Sequence, residues 1–479
     1  MRPILVSVVV LLLARNLSVA AELPLRIDAP EPAATQGIPV SGGIPFARGL
    51  LASIDQLRLL DAARREIPAQ ATALAVWPDG SVKWALIDAV VTGDQGRALI
   101  LEYGASVRRA AVIGPMSARV EGGRALVGDG HLVATIANTG AGFIDALAID
   151  GHAVIDARDP AGVVVSTVRI PDGTSGDAIP VGSFLCRSAQ AHCATGTIHI
   201  DAVTVESPGP IRATVLVRGA IVLPQFGATL PPEATRGDPA GRMPFSMRVS
   251  FFRGTSVVYA QHQIIFTGEP DCDFITRWAI RLPGLAGSRG MLCIEPGVTL
   301  EENGGRSSVA ASTSSRLCWG PLAMASKPAG FALIRHGWYD RPAAITAEGG
   351  AAWIEFWPHQ AGIFDLRRYA REWAAGESGD THNPADMERY ATYAARGIAK
   401  SQDLVVDFSP LDSASIAMAA PQRVTTLSER ALLVAPPAWY AATQALGPMV
   451  PEQTSGPYAA LEAMTRRRLD YHLFAQDLY

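Results

Sequence analysis

The sequence predicts a mainly β protein: a small N-terminal β-barrel over residues 22–115, a large antiparallel β-sandwich over 116–418, and helix confined to a truncated C-terminal piece, 419–479. Three observations predict it. The 479 residues carry 45 glycines and 34 prolines, a density of turn formers that leaves little room for long helices. Period-two alternation of apolar and polar residues recurs through most of the chain, and helical spacing appears only late. The length fits about three domains of ~150 residues. Hydrophobic content of 48% excludes a mostly disordered chain, and a net charge of −4 gives no electrostatic footprint for nucleic acid.

Residues 1–21 have the layout of a secretory signal. Arg2 supplies the positive start, an apolar run extends from Pro3 to Ala14, and Ser18-Val19-Ala20-Ala21 offers small residues for cleavage. The run is too short to span a bilayer, so the expectation is a secreted or periplasmic protein with no membrane contact after cleavage. Export makes the five cysteines, Cys186, Cys193, Cys272, Cys293 and Cys318, interpretable. None forms a C-x-x-C pair, which removes zinc-ribbon and thioredoxin motifs. Cys186 and Cys193 flank a short polar loop and are expected to close a disulfide. The plainer alternative, five buried thiols acting as small hydrophobes, stays open.

Residues 23–103 read as short strands with tight turns. Ile38-Pro39-Val40 and Ile44-Pro45-Phe46 flank Ser41-Gly42-Gly43, and Leu57-Arg58-Leu59-Leu60 precedes Asp61-Ala62. Trp77-Pro78-Asp79-Gly80 is a hairpin signal, because Pro presets φ at the second turn position and Gly accepts positive φ. The strand after it alternates, with Val82, Trp84 and Leu86 on one face. Trp77, Lys83 and Trp84 are accordingly expected as barrel core and strand edge.

Beyond residue 118 the strands lengthen. Residues 203–205, 212–217, 245–252 and 257–266 all carry β-branched or aromatic alternation, separated by Gly/Pro-rich loops such as 223–243. Helix is expected from Asn383-Pro384, an N-cap followed by Pro at the first helical position, to Gly397. A strand over 404–408 and a linker over 419–437 follow. Residues 438–446 and 458–478 look helical, the second with Leu461, Met464, Leu469 and Leu473 as its apolar positions. The chain stops inside or just after that element, an ending expected of a truncated helical domain.

Three segments together resemble the exo-acting rhamnogalacturonan lyases and their YetA-like relatives. The first runs from Gly37-Ile38-Pro39-Val40 through Leu57-Arg58-Leu59-Leu60-Asp61 to Trp77-Pro78-Asp79-Gly80-Ser81-Val82-Lys83-Trp84. The second is Trp353-Ile354-Glu355-Phe356-Trp357-Pro358 with Asp365-Leu366-Arg367-Arg368-Tyr369. The third is Gly397-Ile398-Ala399-Lys400, leading into a strand that ends Asp407-Phe408. The resemblance implies a RIFT-type barrel, a central β-sandwich and an α/α toroid beginning near Pro437-Ala438-Trp439-Tyr440. It also implies Thr-His after Gly-Ile-Ala-Lys, where this chain has Ser401-Gln402.

The implied activity is polysaccharide β-elimination: loss of the C5 proton of a uronate and expulsion of the 4-linked sugar. That chemistry needs a cation on the carboxylate, a base, and a proton source for the leaving oxygen. Suitable residues crowd between Trp357 and Lys400. Arg396, with Arg368, is the expected carboxylate clamp and Lys400 the base. Tyr393 or His382 is the expected proton donor, and Trp357 with His359 the expected sugar platform. The plainer readings are a packed or solvated arginine-tyrosine face, a capping-loop His382 and a core Trp357.

Other chemistries find less support. There is no G-x-S-x-G elbow and no H-E-x-x-H helix. No cofactor is expected; Asp271-Cys272-Asp273 is too sparse for a calcium loop, though calcium stays open. Nothing fixes the separation of Glu377 from Asp380 or Asp386, as a glycosidase pair requires. The competing function is a non-catalytic carbohydrate-binding or scaffold protein, or an inactive fragment of such a lyase. Either way the expected partner is a poly- or oligosaccharide. Mass spectrometry of exported material should find a mature chain starting at Ala21 or Glu22 with Cys186 and Cys193 linked; two free thiols there would overturn the disulfide.

Overall fold

Among the described residues strand outweighs helix, 58% against 10%, in keeping with the turn density. The computed structural model describes residues 20–29, 37–136, 142–169, 192–223, 241–268, 273–287, 291–293, 301–302, 305–306, 318–324, 327–335, 343–358, 363–364, 366, 396–409, 423–452 and 455–475. Among them no helix is long and apolar enough to cross a membrane.

The N-terminal unit is an eight-stranded half-barrel sheet. Its order is Glu66–Ile67, Leu57–Leu60, Ala98–Tyr103, Ala21–Asp28, Ala431–Val434, Ile38–Pro45, Val82–Val91 and Ala69–Val76. Leu23, Leu25 and Ile27 alternate inward from the first strand and meet Ile87, Leu99 and Leu101 in one core. The expected hairpin is present: Gly80 has φ +83, its amide donates to the Trp77 carbonyl at 2.9 Å, and the Trp77 amide donates to the Ser81 carbonyl at 2.8 Å.

Three expectations for this unit need correction. Ser41-Gly42-Gly43 is not a turn; Ile38–Pro45 is one continuous strand. A Cβ on Gly42 would lie 2.1 Å from the Leu433 carbonyl oxygen, and one on Gly43 2.2 Å from Trp84 Nε1, so the glycines admit close neighbours. The inward face of Val82–Val91 is Ala85, Ile87, Ala89 and Val91, while Trp84 and Leu86 sit half-buried on the other side. The linker over 419–437 contains a strand. Ala431–Val434 pairs antiparallel with Ala21–Asp28 and parallel with Ile38–Pro45, so the N-terminal sheet is completed from the far end of the chain.

A five-stranded meander follows: Ser117–Glu121, Arg124–Gly128, Leu132–Ile136, Ala146–Ile149 and His152–Ile155. It shares one hydrophobic core with the sandwich. Among the described residues the narrow sandwich sheet has six strands, centred on Gly162–Arg169, Asp273–Pro283 and Ala351–Trp357. The wide sheet has eight, in the order Thr197–Pro208, Arg212–Val222, Arg242–Phe252, Val257–Ile265, Ala399–Asp407, Lys327–Arg335, Cys318–Met324 and Ala286–Gly287. Alternate residues such as Val215, Met247, Val249, Ile280 and Ile354 fill the space between the two.

Among the described residues α-helix is confined to residues 423–428, Pro437–Thr443 and Ala459–Ala475, beside single 3-10 turns at Ile54–Gln56 and Gly93–Gln95. Trp439 packs back on the half-barrel: its Nε1 donates to the Pro45 carbonyl at 2.7 Å, and its ring lies edge-on against Phe46 and Tyr103. In Ala459–Ala475, Leu461, Met464 and Leu469 are exposed. The expected helix over 383–397 falls on residues 383–395, which lie outside the described residues; Arg396 and Gly397 form a turn.

His262 is a fully buried polar group of the sandwich core. Its ring stacks on Phe356, Nδ1 accepts from Trp278 Nε1 at 2.9 Å, and Nε2 has no partner. Burial depresses its pKa to about 3. The folded state therefore refuses a proton that the unfolded chain takes up near 6.5, so His262 supports stability above that pH and loses it as the pH falls toward 3. Chemical denaturation followed from pH 7 to pH 4 should show this loss in wild type, and His262→Gln should flatten it.

Candidate functional site

The half-barrel and the wide sheet meet through a short list of polar contacts. Gln70 is buried at the joint; Nε2 donates to Ser207 Oγ at 2.9 Å, and Oε1 accepts from the amides of Ile211 and Arg212, each at 3.0 Å. Asp88 is also buried. Its Oδ1 accepts from Ser41 Oγ at 2.5 Å and lies 3.3 Å from Arg212 Nη1 across the joint. Burial pushes the Asp88 carboxyl above the ordinary range, opposed by Arg212 and Ser41. Arg423 donates to Asp407 Oδ2 at 2.6 Å and closes the same side.

Beside this joint the two sheets enclose a cleft of about 420 Å³. One wall is Pro39, Ser41, Gly42, Gly43, Leu86, Ala431 and Leu432 of the half-barrel. The other is the outer face of the wide sheet, whose strands turn Val215, Val249 and Ala260 into the core and so turn their neighbours outward. Cross-strand register aligns those neighbours in rows. Arg248, Gln261, Asp403 and Arg335 stand level on four successive strands, and Thr214, Ser250 and Tyr259 form the next row.

Four arginines line the cleft, against Glu206 and Asp403. Arg248 holds Glu206 in bidentate fashion at 2.8 and 3.0 Å. Asp403 accepts from Gln261 Nε2 at 3.0 Å and from Arg430 Nη2 at 2.8 Å. Arg335 is pinned by its Nε to the Leu427 carbonyl at 2.8 Å, and its guanidinium lies 4.3 Å over the Tyr259 ring. Burial raises the Tyr259 pKa, with Arg335 pulling the other way, so the phenol keeps its proton; burial lowers that of Arg335. The cleft can thus hold an anion at its exposed arginines and offer neutral donors and acceptors between them.

Residues 25–102 match the PcRGLX-like N-terminal RIFT barrel domain, and residues 117–283 match the PcRGLX-like protein central beta sandwich domain. The chain belongs to this YetA-like, rhamnogalacturonan-lyase-like family. YetA of Bacillus subtilis (strain 168) is 25% identical over 245 residues, 51% of this chain and 25% of YetA. The chain thus spans about a quarter of the length of that curated relative. Among solved structures, an alpha-mannosidase from Enterococcus faecalis V583 superposes with a TM-score of 0.47 at 10% identity, over 87% of this chain and 46% of that one. A glycosyl hydrolase family 38 protein from Enterococcus faecalis gives 0.46 at 10% identity, over 87% and 47%.

Of the residues singled out from the sequence, the described ones, Trp357, Arg396 and Lys400, are not among those that line the cleft. Trp357 is buried with its face stacked on Phe364 at 4.4 Å, which makes it sandwich core and not a sugar platform. Arg396 sits at the turn before Ala399–Asp407, its Nε reaching the Gly268 carbonyl at 3.4 Å. Lys400 is half-buried opposite Ile264, and Gln402 is buried opposite His262. Lys400 stands three positions from Asp403 on one strand, so the two point to opposite faces of the sheet. His359, Arg368, His382 and Tyr393 lie outside the described residues.

Cys193 is disulfide-bonded, and Cys186 lies outside the described residues. Asp273 of the sparse acidic motif is held by Arg169 Nε and Nη2, both at 2.7 Å. Among the described residues no three His, Cys, Asp or Glu side chains gather as a metal set.

The cleft was missed because its residues come from nine strands spread between Pro39 and Leu432. The available signal was polar residues at every second position, Arg212 with Thr214, Arg248 with Ser250, Tyr259 with Gln261. Ordinary solvent-facing alternation looks the same. Gln70→Ala should cost roughly 2–3 kcal/mol, since it strips acceptors from two buried amides; urea unfolding at neutral pH reads it.

Proposed function

We propose that the protein is a polysaccharide lyase-like protein that takes rhamnogalacturonan or a related uronate-containing polysaccharide into the cleft between the half-barrel and the wide sheet, and acts on it by β-elimination. The carrying observation is the cleft's four arginines on a chain whose overall charge is negative. Arg430 is exposed and donates to Asp403 through Nη2, leaving the rest of its fork for a carboxylate. Withdrawing charge from the carboxylate is what acidifies the neighbouring C–H. Tyr259, protonated and half-buried, suits the donor side of the reaction better than the base side.

One observation favours a second reading, carbohydrate binding without turnover. Among the described lining residues there is no Lys or His to serve as base, and Gln402 stands where the resemblance implies His. The base would then be Lys400, reached from the other face of the sheet, or absent. We also place the protein outside the cytoplasm, on the leader-like first 21 residues and the bonded Cys193.

Incubation with rhamnogalacturonan, followed by the ultraviolet absorbance of an unsaturated uronate, separates turnover from binding. Calorimetry with the same oligosaccharides locates the carboxylate. Arg430→Ala should weaken binding roughly tenfold to hundredfold, the size of a lost charge-assisted contact of about 1.5–3 kcal/mol. Lys400→Ala should lower turnover with binding unchanged if it is the base. An Arg396→Ala variant that loses binding while Arg430→Ala retains it would move the uronate to the opposite face and overturn the cleft.

A further inference from the structure

Among the described residues, three buried side-chain atoms have no hydrogen-bond partner, and two of them belong to one ion pair: Asp88 Oδ2 and Arg212 Nε. The chain builds such pairs well elsewhere. Arg169 meets Asp273 through two contacts of 2.7 Å, and Arg281 meets Asp159 at 2.7 and 2.9 Å. Asp88 and Arg212 share one contact of 3.3 Å between Oδ1 and Nη1, long for a guanidinium and a carboxylate. Ser41 takes up the remaining capacity of Oδ1, so the unmade bonds are concentrated on Oδ2 and Nε.

Unpaired buried polar atoms cost free energy and call for a physical reason. The place supplies one. Ser41 and Arg212 both line the cleft, and Arg212 reaches across the joint from Arg212–Val222 to Asp88, which is buried behind Ser41 on Val82–Val91. Charge then selects the ligand group. An anion would be drawn to Arg212 and repelled by Asp88, and a cation the reverse. A neutral hydroxyl both donates and accepts, which is what an acceptor oxygen beside an N–H donor requires. Burial already holds the Asp88 carboxyl above its ordinary range, so a donor arriving at Oδ2 relieves a carboxylate short of donors.

We propose that Asp88 and Arg212 form a hydroxyl-reading subsite at the wall of the cleft, where a sugar adjoining the bound uronate donates one hydroxyl to Asp88 Oδ2 and accepts from Arg212 Nε. The inference rests on the cleft being the carbohydrate site. It adds that the cleft recognises an acidic sugar and a hydroxyl of its neighbour together, and so selects an oligosaccharide over a single uronate. Arg212 keeps part of its side chain in solvent, and a turn of its guanidinium admits the hydroxyl.

The test uses the full chain, calorimetry, a rhamnogalacturonan oligosaccharide and the series of its monodeoxy analogues. One analogue should bind wild type at least roughly tenfold more weakly than the parent, because a site built around a hydroxyl rejects the ligand that lacks it. The paired change Asp88→Leu with Arg212→Met should bind the parent as weakly as wild type binds that analogue. It should also show an equal or higher melting temperature, since apolar replacements remove two unpaired polar atoms. A merely structural pair gives the opposite result, lower stability with parent affinity unchanged. Should the double variant not fold, the analogue series on wild type decides alone. Wild type binding every analogue as tightly as the parent overturns the subsite and leaves the cleft reading standing; wild type failing to bind the parent removes both.

Discussion

The close approach of Leu433 to Gly42 governs the arrangement of everything else. Ala431–Val434 is hydrogen-bonded into the half-barrel on both sides, and a side chain at position 42 would occupy the space of the Leu433 carbonyl. That pairing returns the chain, after the whole sandwich, to the sheet on which it began. The wide sheet is therefore tied over the half-barrel at two ends, through Gln70 at Ser207 and Arg212 and through Arg430 at Asp403. The cleft is the space left between these ties.

The electrostatics of the joint follow from that closure. Exposed pairs such as Arg26 with Asp28 contribute little, being hydrated in any conformation. The buried groups behave differently. Arg335 finds carbonyls at the turn before Ala431–Val434, and Asp407 finds Arg423, so these two buried charges have their partners supplied by the returning segment. Val424 and Leu427 of the short helix over 423–428 seal the apolar patch formed by Val257, Phe331, Leu333 and Val405. The same stretch of chain thus closes the sheet, gives Arg335 its carbonyl acceptors and Asp407 its arginine, and covers one apolar patch on the outer face of the sandwich.

What the sequence disclosed depended on whether the cause of a feature was local. The Trp77–Ser81 turn was legible because Pro78 and Gly80 dictate it unaided. The sandwich strands were legible from their alternation, and the family from the order of its segments. Ser41-Gly42-Gly43 was misread because glycine serves turns and close approaches equally, and only Leu433 distinguishes the two. Ala431–Val434 was too short to separate from a linker. Trp357 next to Pro358 carried no mark of whether Phe364 would cover it. The cleft was invisible for a related reason: pairing register brings Arg248, Gln261, Asp403 and Arg335 level, and register cannot be read from any one strand.

The late arrival of Ala431–Val434 also sets an order in time. As the chain is synthesised from its N-terminus, Ala21–Asp28 and Ile38–Pro45 emerge early and then wait with their facing edges unpaired while the whole sandwich is made. Only when residue 434 is available can the gap between them close. An unpaired strand edge is a template for wrong partners. Throughout that interval the half-barrel is a sheet with a missing stave, open to whatever strand reaches it first.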